Sequence, residues 1–202
     1  MQHHKVKALL FDMGGVVLNI DFNNVFRAWA KLSSLTEQQI KASFQMDQAY
    51  ENHERGSINS TQYFEHIRNT LQLTGTDEQL AEGWNAIFGT EMSESFDAID
   101  QIRHRIPAYG FTNTNAAHQQ YWEYHHPRVR NTFAKLYVSS EIGLRKPDAE
   151  AFEYILNDIS VKAEELLFFD DTPGNIEGAQ KLGIQTVLVK DAQSVTSALA
   201  AL

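Results

Sequence analysis

Four short clusters carry the residue types needed to hold an oxygen-rich anion and react with it. Asp12 follows the apolar run 6–11 and precedes Met13-Gly14-Gly15. Thr112-Asn113 follows a second short run, Lys146 sits in Gly143-Leu144-Arg145-Lys146-Pro147, and Asp170-Asp171 closes the run 166–169. A phosphate monoester dianion repels a carboxylate nucleophile, so attack by Asp12 requires that charge to be offset. A divalent cation between Asp12 and Asp171 would do so, and hard oxygen ligands suit Mg²⁺. Lys146 would cancel further charge and restrain the nucleophile. The Thr112 hydroxyl and the amides around Asn113, near a helix start, would take the remaining phosphate oxygens.

These residues share a rim only if the chain builds a parallel sheet. Apolar runs at 6–11, 109–111, 135–139, 166–169 and 185–189 read as short buried strands. Helical stretches at 93–105 and 175–182 alternate with them, and Ser93 is a candidate cap for the first. Repeated strand–helix units predict an α/β fold, a Rossmann-like parallel sheet with helices on both faces, whose ligands bind beyond the carboxyl ends of the strands. Between the first two strands the pattern is purely helical. Thr36-Glu37-Gln38-Gln39 and Thr76-Asp77-Glu78-Gln79 fit the capping box. Phe26, Trp29, Ala30 and Leu35, then Tyr63, Phe64, Ile67 and Leu71, recur at helical spacing and predict a bundle core. The expected organisation is a core of residues 1–20 and 91–202 carrying an inserted helical cap of residues 21–90.

The bulk composition fits this reading. The chain has 202 residues, 43% hydrophobic and 21% charged, enough apolar content for one packed domain with an insertion. A formal charge of −9 argues against a nucleic-acid partner, whose phosphates are held by clustered Lys and Arg. There is no cysteine, so thiolate metal sites and disulfides are excluded. No run approaches the roughly 20 apolar residues of a membrane span, and residues 1–15 lack a cleavage-site pattern. The expectation is a cytoplasmic monomer without a membrane partner. His3-His4 and His125-His126 have no ligand spacing and read as surface residues. Tyr121, Trp122 and Tyr124 read as packing beside the sheet.

The four clusters resemble, in order, the four motifs of the haloacid dehalogenase (HAD) superfamily. Phe11-Asp12-Met13-Gly14-Gly15-Val16 is similar to the first, Thr112-Asn113 to the second, Lys146-Pro147 to the third, and Asp170-Asp171 with Asn175 and Gly178 to the fourth. The resemblance spans essentially the whole chain, and the insertion is similar to the superfamily's small helical cap. It implies Asp12 as the nucleophile of an aspartyl-phosphate phosphatase, with Lys146 beside it. Thr112, Asn113 and Lys146 would bind the phosphoryl group. Asp12, the Gly14 carbonyl and Asp171 would hold Mg²⁺, and Asp170 would order its water shell. The stretches 19–23, 53–56 and 168–178 are similar to a bacterial branch acting on a hexose 1-phosphate, so small phosphorylated metabolites are the implied substrates and hexose 1-phosphates lead among them.

One position departs from the pattern. Most phosphatases of the superfamily carry an acid–base aspartate two residues after the nucleophile, and here Gly14 stands in its place. Such a group is worth about 100- to 10,000-fold in rate. His53 or Glu54, in His53-Glu54-Arg55-Gly56 of the cap, is a candidate substitute. The plainer reading of that segment is a solvated helix end stopped by Gly56. Two other activities remain open: a 2-haloacid dehalogenase, disfavoured by the paired acids at 170–171, and a phosphometabolite-binding module without turnover.

Overall fold

The computed structural model describes residues 5–202. In chain order, β1 (Ala8–Phe11) leads through a glycine turn into β2 (Leu18–Ile20), and five helices follow: α1 (Phe22–Ala30), α2 (Glu37–Ser43), α3 (Gln48–Glu54), α4 (Ser60–Leu71) and α5 (Asp77–Asn85). The chain returns through β3 (Phe88–Glu91), α6 (Ser93–Ile102), β4 (Ala108–Thr112), α7 (Ala116–His125), α8 (Arg128–Thr132) and β5 (Leu136–Val138). It ends with α9 (Ser139–Ile142), α10 (Ala149–Ile159), β6 (Leu166–Asp170), α11 (Pro173–Lys181), β7 (Gln185–Leu188) and α12 (Ala192–Ala200). No helix among the described residues is long and apolar enough to cross a membrane. The His3-His4 pair lies outside the described residues.

The five core strands form one parallel sheet in the order β5-β4-β1-β6-β7. Strand β1 is central, and its side chains alternate between two apolar layers. Leu9 and Phe11 enter one with Phe96, Ile99, Trp122 and Val195; Ala8 and Leu10 enter the other with Phe111, Phe152, Ile155 and Ile176. A sheet buried on both faces explains why its strands read as unbroken apolar runs. Most boundaries fall within a residue or two of those predicted. Ser139, expected in a strand, instead opens α9. Ser93 is inside α6, whose cap position is Met92 with no side-chain hydrogen bond, so it does not cap.

The insertion has its own core. Phe26, Trp29, Tyr63, Phe64, Ile67, Leu71 and Trp84 are buried together, with the Trp29 and Trp84 rings stacked at 5.2 Å. Ala30 and Leu35 only flank this cluster. Both predicted capping boxes form: the Thr36 and Thr76 hydroxyls accept from the Gln39 and Gln79 amides, and each glutamine accepts from the threonine amide. A feature the sequence reading missed joins the two parts. Strands β2 and β3 pair antiparallel, Leu18 opposite Glu91 and Ile20 opposite Phe88, where the chain leaves and re-enters the sheet domain.

Candidate active site

Asp12 lies one residue beyond β1, and its amide still donates to the Phe169 carbonyl (2.8 Å), which fixes it at the carboxyl edge. Thr112 ends β4 and Asp170 ends β6, the strands that flank β1. Neighbouring strand ends thereby deliver three of the four clusters to one spot. Lys146 arrives on the loop after α9 and is 1% exposed. Its ammonium contacts Asp12 Oδ1 at 2.7 Å and Asp170 Oδ2 at 2.8 Å, and donates to the Phe111 carbonyl at 2.9 Å. That set uses all three ammonium protons, so Lys146 is held as a fixed charge.

Asn113 acts chiefly on this lysine. Its side-chain oxygen accepts from the Lys146 amide (2.9 Å) and its nitrogen donates to the Lys146 carbonyl (2.8 Å). The Asn113 side chain, expected to contact phosphate, is thus committed to the lysine loop and only its backbone is left for such a contact. The Thr112 hydroxyl is buried in the cleft wall and has no hydrogen-bond partner among the described residues.

Asp170 is wholly buried and saturated. Besides Lys146 it accepts from the Thr172 amide (2.8 Å) and from the Asn175 side chain (3.0 and 3.1 Å). Asp171 is freer, with one bond from the Thr172 hydroxyl (3.2 Å). Gly15, at φ +69°, lies so close that a Cβ there would sit 2.3 Å from Asp171 Oδ2. Gly14 lines the same cleft, and a Cβ on it would meet Ile20 Cδ1 at 2.9 Å, so an apolar side chain borders the position where an acid was missed. Gly178 brings α11 against the Lys146-Pro147 loop: a Cβ there would be 2.6 Å from the Pro147 carbonyl.

Carboxylate oxygens of Asp12, Asp170 and Asp171 lie within 4.8 Å of one another, opposed by the single ammonium of Lys146. Burial pushes the Asp12 carboxyl up to about 7 against the pull of Lys146, and the neighbouring carboxylates add to the rise. Burial and Asp170 raise Asp171 likewise. Burial alone would lower the Lys146 ammonium, but Asp12 and Asp170 outweigh it and the net shift is upward. An excess of buried negative charge built only from hard oxygen donors fits a divalent cation of the Mg²⁺ type. With Asp170 saturated, Asp12 and Asp171 are the carboxylates available to it.

A cavity of about 590 Å³ opens above this cluster, between sheet and insertion. Asp12, Gly14, Thr112, Asn113, Lys146 and Asp171 line its floor. The two proposed substitutes for the missing acid are divided by the structure. His53 is 2% exposed, stacks on Tyr63 at 4.4 Å and bonds Ser60 Oγ at 3.1 Å inside the helical layer, so it does not face the cavity. Burial drops its imidazole to about 4. Glu54 does line the cavity, paired with Arg145 at 2.7 Å. The segment is thus a buried docking point and not a solvated helix end, although Gly56 does stop it at φ +67°.

Sequence reasoning missed Arg145 and His118, both in the cavity wall. The Asn115 side-chain nitrogen donates to His118 Nδ1 (3.2 Å), which leaves the proton on Nε2 to reach the Trp84 carbonyl (3.3 Å) across from α7 to α5. Burial holds this ring neutral, down to about 3. The spacing Asn115…His118 at a helix start was its one available signal. Trp122 packs in the core as expected, Tyr121 stacks on Phe88, and Tyr124 is exposed.

A parallel sheet with an acid-rich, lysine-braced cleft at its switch point defines a hydrolase suited to anionic substrates. The chain belongs to the haloacid dehalogenase-like hydrolase family, whose profile matches residues 6–183. It is 25% identical over 187 residues, 90% of each chain, to a D-ribitol-5-phosphate phosphatase of Bacteroides thetaiotaomicron. It is 26% identical over 182 residues, 88% of this chain and 87% of the other, to a sesquiterpene phosphatase of Aspergillus oryzae. Among solved structures, a HAD family enzyme from Bacteroides thetaiotaomicron in complex with magnesium and inorganic phosphate superposes with a TM-score of 0.79 at 29% identity, covering 90% of this chain and 92% of that one.

Proposed function

We propose that this protein is a Mg²⁺-dependent phosphatase that hydrolyses small phosphorylated metabolites through an aspartyl-phosphate on Asp12, with hexose 1-phosphates as the leading substrates. Residues 1–20 and 91–202 act as the catalytic core and residues 21–90 as the cap over it. The observation that carries this reading is the Asp12–Lys146–Asp170 chain at 2.7 and 2.8 Å with Asp171 alongside. A binding module would gain nothing from a carboxylate aimed at an anion.

A carboxylate oxygen of Asp12 attacks phosphorus and the bond to the leaving oxygen breaks, with the electron pair leaving on that oxygen. A cation held by Asp12, Asp171 and the Gly14 carbonyl would neutralise phosphate charge and align the group for attack. Lys146 offsets further charge, while Thr112 and the amide of Asn113 take equatorial oxygens. Asp170 keeps Lys146 in place and, beside Asp171, would add negative charge favouring a bound cation. Water then attacks the acyl phosphate, which releases inorganic phosphate and restores Asp12. Glycine at position 14 and Ile20 beside it supply no proton, so the leaving oxygen takes one from water in the cleft. A sugar hemiacetal tolerates this better than a simple alcohol, which supports hexose 1-phosphates.

Phosphate release across a panel of phosphorylated metabolites, with Mg²⁺ and with EDTA, tests the proposal. The expected result is turnover that EDTA abolishes and Mg²⁺ restores. Release of halide from 2-halo acids irrespective of EDTA would establish the dehalogenase reading instead, and ligand binding without turnover the non-enzymatic one.

A further inference from the structure

The cavity wall away from the phosphate floor has two unlike halves. On one side stand Ile20, Phe22, Met46, Ile87 and Phe88; on the other Glu54 and Arg145, with Tyr50 beside them. Glu54 comes from α3 of the insertion and Arg145 from the loop that presents Lys146, ninety-one residues apart in sequence. Their side chains are 7% and 14% exposed. Arg145 Nη2 and Nε both converge on Glu54 Oε2, at 2.7 and 2.9 Å, while its Nη1 reaches Glu51 Oε1 at 3.4 Å and the Tyr50 hydroxyl donates to the Glu54 carboxyl. Burial raises the Glu54 carboxyl, with Arg145 opposing.

An ion pair this deep is a poor device for stability, since desolvation consumes most of its Coulombic gain. The seam is already closed elsewhere, by Arg55–Asp148 at 2.6 Å and by the Ser139 hydroxyl on the Glu54 carbonyl at 2.6 Å. A carboxylate and a guanidinium that share the cavity with an apolar wall match a molecule with hydroxyls on one edge and C–H groups on its face.

We infer that Glu54 and Arg145 form a specificity-determining pair that hydrogen-bonds adjacent hydroxyls of the leaving group, and so select phosphomonoesters of sugars or polyols over those of apolar alcohols. This rests on the phosphatase reading. Glu54 accepts from a hydroxyl while Arg145 donates to its neighbour, and Phe22 and Phe88 cover the C–H face. An apolar alcohol would strip water from the pair and return no hydrogen bond, a penalty that falls on binding.

The test compares kcat and KM for glucose 1-phosphate, ribitol 5-phosphate and p-nitrophenyl phosphate in the wild type, Glu54→Gln, Arg145→Gln, Arg145→Lys and Arg55→Gln. For a hydrogen bond to a charged group, Glu54→Gln and Arg145→Gln should lower kcat/KM on the hydroxylated esters by about 10- to 100-fold, mostly through KM. On p-nitrophenyl phosphate they should stay within about 3-fold, less than one such bond is worth. Arg145→Lys should recover part of the loss. Arg55→Gln, which removes a seam ion pair outside the cavity, should leave the selectivity ratio as in the wild type. Equal losses on all three esters, or a selectivity change in Arg55→Gln as large as in the cavity variants, would mean the pair merely fastens the seam and would overturn the inference. A wild type that releases phosphate from none of them defeats the phosphatase reading itself, and the inference with it.

Discussion

Replacing Gly15 with alanine tests whether Asp171 must approach the backbone as closely as the structure shows. At φ +69° a new Cβ would lie 2.3 Å from Asp171 Oδ2 and 2.6 Å from its Cγ. Comfortable contacts with carbon begin near 3.5 Å, so the carboxylate must retreat by roughly 1 Å. A left-handed alanine also costs about 1–2 kcal/mol. Misplacement of this size at a reacting centre can cost about 100-fold in rate. Gly183 provides the control: it too has positive φ, +83°, but a Cβ there meets nothing within 4 Å. Both variants should therefore lose similar melting temperature, while only Gly15→Ala should shift the Mg²⁺ dependence of phosphate release, by about 10- to 100-fold in half-saturating concentration. Thermal melts paired with Mg²⁺ titrations read both effects. If Gly15→Ala keeps the wild-type Mg²⁺ response, or Gly183→Ala loses it equally, the placement of Asp171 as a ligand held by that close approach is wrong.

Three further outcomes follow from the structure. Asp12→Asn should abolish phosphate release to background while leaving inorganic phosphate binding equal or tighter, measured by calorimetry; residual turnover above a thousandth of wild type would remove Asp12 as nucleophile. His53 and His118 are held at about 4 and about 3 by burial, below the ordinary value of 6.5, so their stabilising contribution is complete above pH 6.5 and is lost as pH falls toward those values. Each should contribute up to about 1.4 kcal/mol per pH unit to the decline, and His118→Gln should flatten the dependence of the denaturant midpoint; an unchanged slope would contradict its buried neutral state. Thr36→Ala and Thr76→Ala should each cost about 1 kcal/mol in denaturant unfolding by breaking the capping boxes, with phosphate release little changed.

The sequence exposed those parts of the molecule whose physics is local. Strands β1, β4 and β6 are covered on both faces, so each is an uninterrupted apolar run, and the polar residue that ends it marks the sheet edge. The threonine–glutamine boxes of α2 and α5 are equally local. What stayed hidden depends on distant partners. Strands β2 and β3 are too short and too exposed to carry a strand pattern, and they exist because Leu18 meets Glu91. Glu54 looked like a solvated helix end because its partner, Arg145, comes from the far side of the chain. His118 gave no warning beyond its spacing from Asn115 within a polar stretch, since its burial is imposed by Trp84 of another layer. Even Asn113, which the sequence places among the phosphate contacts, spends its side chain on the Lys146 backbone, a distinction that residue type alone does not make.

The two-stranded ribbon also has a mechanical consequence. Its strands are the outgoing and incoming ends of the insertion, held side by side by backbone hydrogen bonds, so the chain passes between sheet domain and five-helix segment through one narrow neck, while side-chain contacts such as Arg55–Asp148 seat the two against each other. Material of another length or shape spliced between residues 20 and 88 would leave the register of the parallel strands untouched. The floor of the cavity is thus constrained by strand pairing, and the part of its wall that comes from the insertion by the neck and the few side-chain contacts that seat it.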